Sequence, residues 1–194
     1  MKTIIQLQDL QNIFEYEKDR DDVRREIIQY KKNRRIALGP YILITFENFR
    51  TLHFQIQEMM RTERMVSDKQ IQEECDVYNS IMPSRSDLSA TLFIEITSEQ
   101  DIRTVLNEFI GMTEGQHLWF GMGKEKIYAH FEAGREEDDK ISSVHYIRFP
   151  FLSGQIKSFQ EAENACLEIS FKEYQFRTEL SPQVLTSLRA DLEI

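Results

Sequence analysis

The residues best placed to do chemistry lie between His53 and Arg64. His53, Gln57, Arg61 and Arg64 recur at offsets of 0, 4, 8 and 11, which lines them up along one side of a helix, opposite Ile56 and Met60. Two guanidinium groups about one turn apart can hold a carboxylate or phosphate through forked, charge-assisted contacts. Glu58, or Glu47 shortly before the segment, would then be the general base of an enzyme acting on a small anionic substrate. The plainer alternative is a solvated helix face, on which Glu58 and Arg61 at i,i+3 contribute only about 0.2–0.5 kcal/mol. A second set is aromatic. His117, Trp119, Lys126, Tyr128 and His130 occupy one face of a hairpin whose other face is Leu118, Phe120, Ile127, Ala129 and Phe131. With a turn centred on Met122 and Gly123, Tyr128 would stand close to His117. Such a face could stack a planar ligand or dock a partner, and a covering helix would account for it equally well.

Other chemistries lack their residues. A carboxylate-bridged di-iron centre takes Glu-x-x-His pairs from two facing helices, and the four histidines, His53, His117, His130 and His145, are too scattered to supply them. Zinc would need closely spaced Cys and His. No metal and no cofactor are therefore expected. No Gly-x-Ser-x-Gly elbow or P-loop occurs, and the glycines around Met122 read as turn residues. Cys75 and Cys166 each fall in an apolar pattern, as inert packing thiols do.

The elements that must position these groups can be read from periodicity. A polar, one-sided helix is predicted over 16–34, with Val23, Ile27, Ile28 and Tyr30 as its apolar members and Gly39-Pro40 as its stop. The basic run Lys31, Lys32, Arg34 and Arg35 then sits at its C-terminus, where cations offset the dipole. A hairpin follows over 41–46 and 51–54, turning at Glu47-Asn48-Phe49-Arg50, and helices over 55–66 and 68–81 come next. Residues 90–96 alternate as a strand. Ser98 caps a helix that carries Ile102, Val105, Leu106, Phe109 and Ile110, with Gly111 as its end. Strands at 116–121 and 126–132 are followed by a charged connector at 134–140, a strand at 144–151 and a short helix marked by Ile156 and Phe159. Strands at 166–171 and 174–179 lead to a helix opened by Ser181-Pro182. The expected fold is α+β: N-terminal helices and a hairpin on a mainly antiparallel sheet, arranged as two β-α-β-β units plus a closing C-terminal helix. One domain is expected over 1–194, helical to about residue 83 and sheet-rich from about 84.

Composition narrows the partners. Of 194 residues, 24 are Lys or Arg and 33 Asp or Glu, giving a net charge of −9. Residues 1–64 hold 12 basic against 10 acidic groups, while the remainder holds 12 against 23. An acidic body repels phosphate backbones, so nucleic acid is not an expected partner. No apolar run approaches the roughly 20 residues needed to span a bilayer, and the first residues carry no secretory pattern, so no membrane is expected and the location is read as cytoplasmic.

Several short segments are distinctive together: Arg35-Ile36-Ala37-Leu38-Gly39-Pro40, Phe46-Glu47-Asn48 and Phe54-Gln55-Ile56-Gln57-Glu58-Met59. Downstream come Arg61, Glu63-Arg64, Tyr78-Asn79 with Pro83, Thr91-Leu92 with Ile94-Glu95, Gly134-Arg135, Ile141-Ser142, Val144-His145-Tyr146 and Arg148-Phe149. In these the chain resembles an uncharacterised bacterial family of domains of unknown function, family 3501, over nearly its whole length. The resemblance implies a cytosolic domain often encoded beside rubrerythrin and an iron–sulfur, flavin-linked oxidoreductase. It therefore implies a binding or accessory role in redox or peroxide defence, with those proteins as candidate partners; its motifs are not those of any known catalytic machinery, which leans away from an enzyme and leaves that question open. The alternatives are the anionic-substrate enzyme above and a structural homodimer, whose partner is a second copy of the chain.

Overall fold

Asn12 opens the first helix: its side chain accepts hydrogen bonds from the backbone N–H groups of Phe14 and Glu15. The computed structural model describes residues 2–134, the backbone of 136–137, and residues 140–192. Its elements run α1 (Ile13–Lys31), β1 (Arg35–Leu38), β2 (Ile42–Glu47), α2 (Phe49–Thr62), α3 (Asp68–Ser80), β3 (Asp87–Ile94) and α4 (Ile102–Glu108). They continue with β4 (Leu118–Met122), β5 (Glu125–Tyr128), β6 (His130–Phe131), β7 (Glu136–Glu137), β8 (Lys140–Ile141), β9 (Val144–Pro150), α5 (Ser153–Glu161), β10 (Cys166–Phe171), β11 (Tyr174–Glu179) and α6 (Pro182–Arg189).

Two antiparallel sheets, ordered β1-β2-β3-β9-β6 and β11-β10-β4-β5, face each other across the main core. Alternation puts Ile42, Ile44, Phe46, Leu88, Ala90, Leu92, Ile147 and Phe149 of the first sheet against Leu118, Phe120, Leu167 and Ile169 of the second. The chain passes from one sheet to the other at Ala129, between β5 and β6, whose N–H donates to Leu118 O at 2.8 Å. On the far edge β11 meets β1: Thr178 Oγ1 donates to Ala37 O, and Tyr174 OH donates to Leu38 O at 2.6 Å. The two sheets thus close on each other along both edges. The order β-α-β-β occurs twice, as β3-α4-β4-β5 and β9-α5-β10-β11. The first two strands of each copy pair with their counterparts, β3 with β9 and β4 with β10, while β5 and β11 take opposite edges of the second sheet. The fold is α+β, and α6 closes it.

The three N-terminal helices form a second, smaller core of Leu52, Ile56, Met60, Ile71 and Cys75, into which Ile5 inserts. Two amide side chains fasten the N-terminal segment there. Gln57 Oε1 accepts from Gln11 N–H at 2.6 Å and its Nε2 donates to Gln11 O, while Asn79 makes the same reciprocal pair with Ile5.

The local differences from the sequence reading have physical causes. The hairpin is β1–β2, not 41–46 with 51–54, and Gly39-Pro40 makes its turn; α1 ends at Lys31. Gly39 has φ +78°, and a Cβ there would lie 2.6 Å from Phe176 Cδ2 and from Tyr174 Oη, so the turn needs a glycine on both counts. Asn48 is a helix cap, not a turn residue: its side chain accepts from the Arg50 and Thr51 amides, which starts α2 at Phe49 and takes His53 into the helix. Ser98 caps nothing with its side chain and precedes a single 3-10 turn at Glu99–Asp101, so α4 is short. The connector pairs as the short β7–β8 ladder, with residues 135, 138 and 139 lying outside the described residues. Arg34 leaves the helix end altogether. Its guanidinium is fully buried, donating to Phe46 O at 2.9 Å, to Ser187 O, and to the carboxylate of Asp191, itself 2% exposed.

Candidate functional site

Along α2 the structure gives each polar residue of the predicted face a distinct partner. His53 Nε2 donates to Asp9 O at 2.8 Å, and Gln57 is buried against Gln11. Glu58 is gripped from α1: Arg20 Nε and Nη2 donate to its two oxygens at 2.8 Å each, and Tyr16 OH donates to Oε1 at 2.8 Å. The Arg20 hydrogen bonds hold the Glu58 carboxyl below its ordinary 4.5. Being lowered on folding, that carboxyl adds stability which is complete above 4.5 and fades as pH falls below it. Glu58→Gln is accordingly expected to lower the melting temperature at neutral pH and to differ progressively less from the parent in an acid series below pH 4.5. A gap independent of pH would refute the assignment.

Arg61 is engaged by Glu17, its Nε 2.5 Å from Oε2. Arg64 follows the helix end at φ +52°, a left-handed position that usually takes glycine, with Met65 N–H returning to Met60 O. Among the described residues its guanidinium makes no ion pair. Arg61 and Arg64 share one open depression of about 600 Å³ with Ile13, Phe14, Glu17 and Thr62, and Phe14 is 74% exposed.

The aromatic set is divided between the sheets. Tyr128 pairs with Trp119, not His117, because the turn is the two residues Gly123 and Lys124. The rings meet edge to face with centroids 5.9 Å apart, and Lys126 Nζ lies 3.8 Å from the Trp119 ring centre. Trp119 is buried, and its Nε1–H has no hydrogen-bond partner among the described residues. His117 stands at the end of the same sheet against Ser170 O and the Phe171 ring. His130 belongs to the other sheet, opposite Arg148, whose guanidinium donates to Ser80 O and Met82 O at the end of α3. The one Glu-x-x-His sequence, Glu114 to His117, lies in a loop. Among the described residues no three His, Cys, Asp or Glu converge as a metal-ligand set.

The outward face of the five-stranded sheet, where it meets α1 and α2, gathers residues that the sequence keeps far apart. Register aligns Thr45, Thr91 and Tyr146 in one row across β2, β3 and β9, with Glu47 two positions along β2. These residues line a cavity of about 290 Å³ together with Lys31, Arg35, Gln55, Phe93 and Val144. Glu47 is 3% exposed; its oxygens accept from Thr91 Oγ1 at 3.0 Å and Gln55 Nε2 at 3.1 Å. Among the described residues it makes no ion pair. Lys31, the last residue of α1, lies over the Phe54 ring at 5.9 Å, and burial pushes its ammonium down while Glu47 pulls it up. Thr45 Oγ1 is buried with no partner among the described residues. Of this pocket, the sequence reading had singled out Glu47. The remaining signal was present: Thr45 and Glu47 are the polar residues of an otherwise apolar strand, two positions apart and so on one face.

The fold and pocket describe an α+β protein with a closed double sheet and a polar cavity beneath its helical layer. The chain belongs to the family described as "Protein of unknown function (DUF3501)", whose sequence pattern matches residues 4–192. It is also similar to the crystal structure of a novel protein of unknown function from Burkholderia pseudomallei K96243. The two chains are 27% identical with a TM-score of 0.90, over 97% of this chain and 99% of that one. No curated protein matches significantly. No helix among the described residues is long and apolar enough to cross a membrane.

Proposed function

We propose that this is a cytosolic binding or accessory protein that serves a rubrerythrin-type redox or peroxide-defence system, with the Glu47 pocket as its working site. One observation carries the binding reading: a buried carboxyl, matched to no cation among the described residues, opens into a cavity that also holds a half-desolvated lysine and a hydroxyl with no partner among those residues. Buried polar groups are ordinarily satisfied within the fold, and groups left open in a concave site are those a ligand completes. The redox setting is supported by the gene neighbourhood that the family resemblance implies. The depression at Arg61, Arg64 and Phe14 is the surface we assign to the partner: a guanidinium that makes no ion pair among the described residues, beside an exposed aromatic ring, suits an acidic patch on the oxidoreductase.

The test is peroxide turnover by purified rubrerythrin and the iron–sulfur, flavin-linked oxidoreductase, with and without this protein. The parent is expected to raise turnover severalfold, and Glu47→Gln, folded by circular dichroism, to lose the gain. Arg64→Glu should weaken the effect most at low salt. Turnover indifferent to the protein at every ratio would overturn the reading.

A further inference from the structure

The chemistry of the pocket points to the class of its ligand, an inference that rests on the pocket being the binding site. Glu47 and Lys31 face the same cavity without closing on each other, and neither makes an ion pair among the described residues. The carboxyl receives two hydrogen bonds, both from neutral donors, the Thr91 hydroxyl and the Gln55 amide. The ammonium rests over an aromatic ring and is pushed down by burial. An acid and a base sharing a sequestered site normally meet, because leaving either unpaired is far less favourable than pairing them. Here the backbone keeps them apart: Glu47 is fixed at the end of β2, where Arg34 Nη2 donates to its carbonyl at 3.3 Å, and Lys31 is fixed at the end of α1. Arg35, also lining the cavity, stands on the exposed side, and among the described residues its ion-pair partner is Glu95, at 4.0 Å. The site therefore has a buried negative end and a more accessible positive one.

A simple anion would be drawn to Lys31 and Arg35 but repelled by Glu47, and a simple amine would meet the reverse. A molecule carrying both charges, aligned against the pocket's own dipole, satisfies both ends. We infer that the ligand is a small zwitterion of the amino-acid class. Its ammonium lies at Glu47, where Thr45 Oγ1 offers a further acceptor, and its carboxylate at Lys31 and Arg35. Phe93 and Val144 supply apolar wall for a short aliphatic stem. A cavity of about 290 Å³ suits a molecule of that size and is too small for a nucleotide cofactor.

Calorimetric titration of the full chain decides the matter, with glycine, β-alanine and 4-aminobutyrate as zwitterionic probes and n-butylamine and butyrate as their single-charge counterparts. At least one zwitterion is expected to bind, with both single-charge probes much weaker. Glu47→Gln and Lys31→Met should each weaken binding roughly thirtyfold or more, because each leaves one charge of the ligand unpaired. Two separate substitutions guard against one that unfolds the chain, and circular dichroism identifies it. Butyrate bound as tightly as 4-aminobutyrate, and equally by Glu47→Gln, would overturn the dipolar ligand while leaving the pocket as an anion site. A zwitterion bound equally by the parent and both variants would remove the pocket itself. Absence of binding by every probe would overturn the inference, and the turnover assay would still judge the accessory role separately.

Discussion

Replacing Asp191 by alanine is expected to destabilise the protein by about 3–5 kcal/mol, the usual consequence of removing one member of a buried ion pair. Arg34 is 0% exposed, and its other hydrogen bonds go to the carbonyls of Phe46, Glu47 and Ser187 and the hydroxyls of Tyr30 and Ser187, none of which can neutralise it. The same substitution removes one of the two acceptors of Asn48 Nδ2, the one at 2.9 Å, leaving the Tyr30 hydroxyl, so the cap of α2 is loosened as well. For a chain of this size each kcal/mol moves the melting temperature by about 2–4 °C, giving a fall of roughly 6–20 °C. Asp191→Asn should also be severe, since the amide keeps the shape but not the charge. The informative control is the double variant Arg34→Met/Asp191→Leu, which buries no charge and should recover most of the loss. A double variant as unstable as Asp191→Ala would show that packing, not charge, is the reason.

Phe120→Ala is expected to have a comparable effect, about 3–5 kcal/mol, through a different mechanism. The Phe120 ring is fully buried and is the point where both sheets and a helix touch. Its centroid lies 4.6 Å from Phe149, 5.5 Å from Phe46 and 5.8 Å from Phe159. Truncation leaves a cavity bounded by three elements that are tied elsewhere and cannot collapse into it. Phe14→Ala, on a 74% exposed ring, is the matched control and should shift stability by no more than about 0.5 kcal/mol. Equal melting temperatures for the two variants would refute this account of the core.

Which parts of this were legible in the chain follows from the range of the interactions. Periodicity found α3, the strand at Val144, the β10–β11 pair and α6 with its Ser181 cap, because each is specified by neighbours within a few residues. The repeated β-α-β-β order was also visible. Around Asn48 the local signals compete, since Asn serves turns and caps alike, and only the distant Asp191 and Tyr30, bonded to its amide, fix its role. Arg34 read as a helix-end cation because its partner lies 157 residues away. The pocket was hidden for the same reason: Lys31, Glu47, Thr91 and Tyr146 come from four elements, and only strand register brings them to one face. Arg61 was placed on the correct helix, but periodicity could not foresee that Glu17 of α1 would engage it.

The length of the Arg34–Asp191 link bears on how the protein is made. A chain emerging from a ribosome exposes Arg34 157 residues before Asp191. Until then the guanidinium has no carboxylate to meet, and sequestering it would be strongly unfavourable. The β1–β2 hairpin, and with it the end of β2 that carries Glu47, can therefore reach its final seat only after Asp191 has emerged. The cavity beside Glu47 is thus completed late, and a product stalled before Asp191 would lack the seat of its floor.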